Sequence, residues 1–92
     1  MVQRERVAYL NGRIIPESQA SIPIRDRGFI YGDAVFDVSR TFNGRPFKQQ
    51  GHIDRLYASC RYLRLDPGID PGRMMELTMD VVQQNVPLLG PN

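Results

Sequence analysis

Residues 26–47, DRGFIYGDAVFDVSRTFNGRPF, decide how the chain is read. Gly28 and Gly32 stand among charged and aromatic residues, where backbone can turn tightly or approach a ligand. A strand-like pattern follows. Ala34, Phe36 and Val38 alternate, with interruptions, with Asp33, Asp37 and Arg40. Asn43-Gly44 then signals a two-residue hairpin, because a type I′ turn needs positive φ at both central positions. The expected product is a glycine-rich turn feeding a strand that folds back on itself. Such a strand holds Tyr31, Phe36 and Arg40 on stiff backbone.

Working outward, the same turn chemistry recurs before this stretch. Val7 to Leu10 and Ile14-Ile15 flank Asn11-Gly12, which predicts a first hairpin ended by Pro16. Asn-Gly-Arg occurs at 11–13 and again at 43–45, a reuse of turn chemistry and not a structural repeat. Residues 17–25 read as an irregular extended segment. Beyond the second hairpin the period changes. Ile53, Leu56, Tyr57, Cys60 and Leu63 form the stripe of an amphipathic helix over 52–64, with His52, Arg55 and Ser59 together on another face. Asp66-Pro67-Gly68 breaks that helix. A second one starts with Asp70 as N-cap and Pro71 at the first helical position. Met75, Thr78, Met79 and Val82 are its expected buried stripe, and Val86-Pro87 ends it. Strands first and helices afterwards predict one α+β domain over residues 1–92, a small antiparallel sheet with two helices packed on it.

Composition narrows the function without naming it. A net charge of +2 comes from eleven arginines and one lysine scattered along the chain. Nucleic-acid binding is therefore not demanded, and no signature of alternate aromatics on paired strands points to RNA. One cysteine, Cys60, allows neither an internal disulfide nor a cysteine-rich metal site. No leader pattern and no long apolar run indicate secretion or membrane spanning, so the cytoplasm is the default expectation. The chain closes on turn chemistry at residues 88–92, with no capping element after it. A longer protein cut at this point is expected.

Few side chains suggest chemistry on their own. Lys48 is the sole lysine, and a Schiff-base enzyme needs a lysine amine, but Lys48 reads as a solvated strand end. His52 is the sole histidine, with no second ligand at helical spacing for zinc. Arg55 suits a phosphate clamp through its planar fork, although most arginines on a polar helix face are simply solvated. Asp26 and Asp33 are acids of the kind turns favour. Tyr31 reads equally as a packed aromatic with a wet hydroxyl. No phosphate loop, dinucleotide fingerprint or nucleophile elbow is present. Residue types and spacing alone reach an α+β domain with an unusual glycine–aromatic turn.

Three motifs in order go further. Asp26-Arg27-Gly28-Phe29 with Tyr31-Gly32-Asp33-Ala34-Val35-Phe36, then an Asn-Gly hairpin, then His52-Ile53-Asp54-Arg55-Leu56-Tyr57-Ala58-Ser59, resemble the class IV pyridoxal-phosphate aminotransferases. The opening Tyr9-Leu10-Asn11-Gly12 hairpin is also similar, so the match covers nearly the whole chain. The resemblance implies the small N-terminal domain of an enzyme whose cofactor lies against a larger second domain, which carries the Schiff-base lysine. Lys48 does not match that lysine, so no catalytic residue is expected in this chain. The resemblance implies that Arg55 holds the pyridoxal 5′-phosphate phosphate, that Tyr31 and Phe36 shape the substrate pocket, and that Arg40 faces the substrate. It further implies a homodimer acting on a small amino acid (branched-chain or D-amino acid) or an amine and on a 2-oxo acid, without nucleic acid or membrane. The family's aminodeoxychorismate lyases are the alternative within the resemblance, and a stand-alone binding module is the alternative outside it. Two departures bear on substrate choice. Asp37 stands where many members have Glu, and Val38-Ser39-Arg40 stands where many branched-chain enzymes have Gly-Ile-Arg.

Overall fold

Four residues with positive φ close the two hairpins: Asn11 and Gly12 at 48° and 93°, Asn43 and Gly44 at 52° and 74°. In a computed structural model that describes residues 5–88, strand β1 (Val7–Leu10) pairs antiparallel with β2 (Arg13–Pro16), from Leu10 opposite Arg13 to Val7 opposite Pro16. Strands β3 (Thr41–Phe42) and β4 (Arg45–Pro46) form the second pair. The α+β class is as expected, but the sheet is two separate two-stranded pieces among the described residues. The turn expected at 89–92 lies outside those residues.

The strand expected across 33–40 does not form. In front of it, helix α1 (Arg27–Tyr31) replaces the expected turn. The Asp26 carboxylate accepts hydrogen bonds from the amides of Gly28 (2.9 Å) and Phe29 (3.3 Å), which satisfies two donors of the first turn. Gly28 suits this turn, because a Cβ there would stand 2.9 Å from that carboxylate and force the cap to shift. Gly32, at φ 72°, closes the helix. The alternating residues that follow offer a strand face, but a strand also needs a neighbour to complete its ladder. No strand pairs with 33–40 among the described residues, and Phe36 stays 86% exposed.

Helix α2 (Gln49–Leu63) begins three residues before the expected 52. Its apolar face buries Ile53, Tyr57 and Cys60, with Leu56 half-buried. Leu63, predicted for the same stripe, is 47% exposed. The reason is local: Arg64 turns left-handed at φ 58°, and Leu65 N–H bonds back to the Cys60 carbonyl at 2.8 Å, so the chain leaves the core at the helix end. Helix α3 (Pro71–Asn85) starts as predicted, with the Asp70 carboxylate accepting from Arg73 N–H at 2.7 Å. Its fully buried residue is Leu77, outside the expected stripe, whereas Met75, Thr78, Met79 and Val82 are half-buried. The helix packs on α2 on one side and on β1 on another. Met74 and Thr78 share a cleft with Ile53 and Leu56 of α2, and Met79 and Val82 line an open depression with Arg45 and Pro46. The Tyr57 hydroxyl donates to the Ile69 carbonyl at 2.5 Å and ties α2 to the connection before α3.

The first hairpin is fastened to α3 by one side chain. In the β1–β2 register, a two-residue turn makes Leu10–Arg13 a bonded pair, so the N–H and C=O of Val7 point outward. The Asn85 amide meets both: Val7 N–H donates to Oδ1 at 2.8 Å, and Nδ2 donates to the Val7 carbonyl at 2.9 Å. The amide thus takes the place of a third strand. Burial elsewhere is thin. The chain exposes 7625 Å², against about 5,400 Å² for a folded monomer of this size.

Asn85→Ala leaves both Val7 groups unpartnered in a half-buried position and should lower stability by about 1–3 kcal/mol. Gln84→Ala removes only an exposed bond to Asp80 and should change little. Urea denaturation of the two variants checks this, and equal midpoints would disprove the fastening role of Asn85.

Candidate functional site

The helical period sets the polar face of α2 apart from its buried face. At 100° per residue, Arg55 stands about 200° round the axis from Ile53. His52 and Arg55, three residues apart, are neighbours on that face, with the His52 Nδ1 and Arg55 Nη2 3.0 Å apart. Asp37 is brought onto this face from the irregular segment before the second hairpin. Its Oδ2 accepts from Arg55 Nε at 2.6 Å, its Oδ1 accepts from Arg55 Nη2 at 2.8 Å, and the same Oδ1 lies 2.6 Å from His52 Nδ1.

Side chains here do what a strand ladder would have done. Besides Asp37, the Ser39 hydroxyl donates to Gln49 Oε1 at 2.8 Å; one backbone bond, from Phe47 N–H to the Arg40 carbonyl at 2.8 Å, extends the β3–β4 pairing to the end of the segment. The carboxylate of Asp37 is only 10% exposed, whereas the Arg55 side chain is 64% exposed. The better shielded, doubly held member is therefore Asp37, and Arg55 is the exposed one. Arg55 and then His52, through their hydrogen bonds, hold the Asp37 carboxyl well below the usual carboxylate range, outweighing the opposing cost of desolvation. Asp37 in turn raises Arg55 above its ordinary value. An ionised carboxylate only accepts, so the 2.6 Å contact requires Nδ1–H on His52. Arg55 Nη2 then spends its donors on Asp37 and not on the ring.

Arg55 Nη1 takes no part in these bonds, and the Arg55 side chain is largely exposed. Arg55 lines an open depression of about 460 Å³ with Phe36 and with Ala58, Ser59 and Tyr62 of α2. An exposed, bidentately held arginine with three N–H groups not bonded to Asp37 fits one anionic oxygen cluster such as a phosphate ester. Of the residues predicted for the site, Arg55 and Phe36 meet at this depression. Tyr31 and Arg40 do not line it: the Arg27 guanidinium stacks 5.2 Å from the Tyr31 ring, and Arg40 stacks 5.3 Å over Phe42. Asp26 and Asp33 are turn acids, one capping α1 and the other paired with Arg27 at 2.9 Å. Lys48 lies over Phe47 at 5.3 Å, at the start of α2. Sequence reasoning marks Asp37 only as a departure from a glutamate. Its available signal is an acid set between Val35-Phe36 and Val38, where an apolar side chain would otherwise be expected.

Comparison with known proteins bears on this face directly. The chain is 35% identical over 77 residues to a protein of Methanocaldococcus jannaschii provisionally named branched-chain-amino-acid aminotransferase, covering 84% of the chain and 27% of the relative. It is 36% identical over 76 residues to a D-alanine aminotransferase of Listeria monocytogenes, covering 83% and 26%, and 30% identical over 77 residues to one of Staphylococcus aureus, covering 84% and 27%. The resemblance to class IV aminotransferases holds. The aminotransferase-like segment spans about a quarter of the length of these curated relatives. No family model matches the chain. Among the described residues no helix is long and apolar enough to cross a membrane.

The depressed Asp37 carboxyl makes a signed prediction. A group whose pKa is lowered by folding stabilises the fold above its unfolded value, about 3.9, and that contribution fades as pH falls below it. Asp37→Asn should therefore be less stable than the parent at pH 6–7, with the gap closing below about pH 4. Urea midpoints measured from pH 2.5 to 7 test this, and a gap that stays constant over the range would contradict it.

Proposed function

We propose that the chain is the N-terminal domain of a homodimeric, cytoplasmic pyridoxal-phosphate-dependent transaminase. The reaction moves an amino group between an amino acid, branched-chain or D-, or an amine and a 2-oxo acid. The similarity to aminotransferases over more than four fifths of the chain carries this reading. The aimed guanidinium of Arg55 on that same stretch supports it. When bound, the cofactor supplies the electron sink for the substrate's reacting carbon.

What this chain contributes is binding and orientation. Arg55, held by Asp37, offers Nη1 to the phosphate of the cofactor. Phe36 supplies an apolar wall beside the guanidinium and limits water there. Tyr31 and Arg40 stand on the substrate side, Tyr31 facing the neighbouring subunit. The Schiff-base amine comes from a larger second domain, and Lys48, stacked on Phe47, does not provide it. The exposed apolar groups Phe29, Tyr31, Phe36 and Val38 belong to the face that meets that domain or subunit. Lyase action on aminodeoxychorismate is the second reading, since Asp37 and Val38-Ser39-Arg40 depart from the branched-chain pattern.

In the full-length protein, Arg55→Ala should weaken cofactor binding about ten- to a hundred-fold, the range of a charge-assisted pair, and Arg61→Ala should do far less. Equal effects, read by equilibrium dialysis, would reduce Arg55 to a solvated residue. The 92-residue chain alone should neither transaminate nor form a stoichiometric borohydride-trapped adduct at Lys48. It should self-associate in sedimentation, and Phe36→Ser should reduce that association. A monomer indifferent to Phe36→Ser would favour a stand-alone module.

A further inference from the structure

We infer that Asp37 is a positioning residue, which aims the Arg55 guanidinium at a phosphate ester while His52 keeps Asp37 in place. The inference rests on the phosphate role proposed for Arg55. An arginine side chain on a helix face has four rotatable torsions, and most of its orientations point away from any one ligand. Here its Nε and Nη2 edge is docked on two carboxylate oxygens, at 2.6 and 2.8 Å. A planar guanidinium held along one edge has its remaining edge fixed in direction, and Arg55 lines the depression that it shares with Phe36 and Ser59.

The anchor is itself anchored. Asp37 belongs to a segment with no strand partner among the described residues, so its backbone alone would hold it loosely. His52 Nδ1–H fixes Oδ1 from the helix, one turn before Arg55, at 2.6 Å. Ser39 bonds to Gln49 at the start of the same helix. The order of control therefore runs from α2 through His52 to Asp37 and back to Arg55 on α2. A charge argument pulls the other way. The Asp37 carboxylate partly offsets the arginine's charge and repels an incoming anion, so its loss would strengthen binding if charge decided the outcome. The exposed, screened setting of the guanidinium weakens that repulsion, whereas the loss of orientation is not screened.

The test uses the full-length protein stripped of cofactor. Pyridoxal 5′-phosphate and unphosphorylated pyridoxal are the two probes, and binding is read by calorimetry. Asp37→Asn should weaken pyridoxal 5′-phosphate about five- to tenfold and leave pyridoxal unchanged. Asp37→Glu should recover part of the loss. In the Arg55→Ala background, Asp37→Asn should have no further effect, and circular dichroism should report the same fold throughout. Tighter phosphate binding in Asp37→Asn would overturn the inference in favour of charge. Equal losses for pyridoxal, or an undiminished Asp37→Asn effect without Arg55, would make Asp37 merely structural. If Arg55→Ala itself leaves phosphate binding intact, it is the phosphate role of Arg55 that fails. A loss in Arg55→Ala with none in Asp37→Asn removes the positioning role alone.

Discussion

One helix serves both the core and the site, and its period keeps the two apart. Helix α2 buries Ile53, Tyr57 and Cys60 on one side, and the carboxylate of Asp37 is gripped by His52 and Arg55 from another. A residue inserted within α2 would rotate one set by about 100° relative to the other, exposing core and scattering the site together. The helix ends are set with matching care. Lys48 and Arg64, both at positive φ, turn the chain sharply at the two ends of α2.

The rest of the described chain depends on polar ties to this helix pair. Asn85 supplies the first hairpin with the bonds that a third strand would otherwise give, and Asp37 and Ser39 do the same for the segment 33–40. These ties satisfy backbone and charge, but they do not bury apolar surface. Phe29, Phe36, Val38 and Tyr62 remain exposed, and the surface area exceeds that of a typical monomer of this size. A few directed bonds thus hold shape where the core among the described residues is small.

The ion pair of Asp37 shows how burial and function meet. Two donors converge on a carboxylate with little exposure and hold it ionised well below the usual carboxylate range, and the same two-point grip constrains the direction of the arginine. Neither donor can be replaced by a residue of the same charge alone. A lysine at 55 would lack the fork, and an apolar residue at 52 would leave one carboxylate oxygen with a single partner.

Features governed by neighbours in sequence were legible without the structure. Both Asn-Gly turns are local, since positive φ is a property of two residues and their side chains. The start of α3 is local too, because Asp70 and Pro71 satisfy and pre-shape its first turn. The stripe of Ile53, Tyr57 and Cys60 follows from helical period, and the motifs around Arg55 marked it as the phosphate candidate. Tertiary structure alone decided the rest. Residues 33–40 carry an alternating pattern but stay out of a sheet, because a ladder depends on where another strand lies. Leu77 is buried in a helix that packs on both α2 and β1, a placement that no single stripe reveals. Asp37 meets Arg55 across 18 positions of sequence, a separation over which no periodicity operates and only the path of the chain brings charges together.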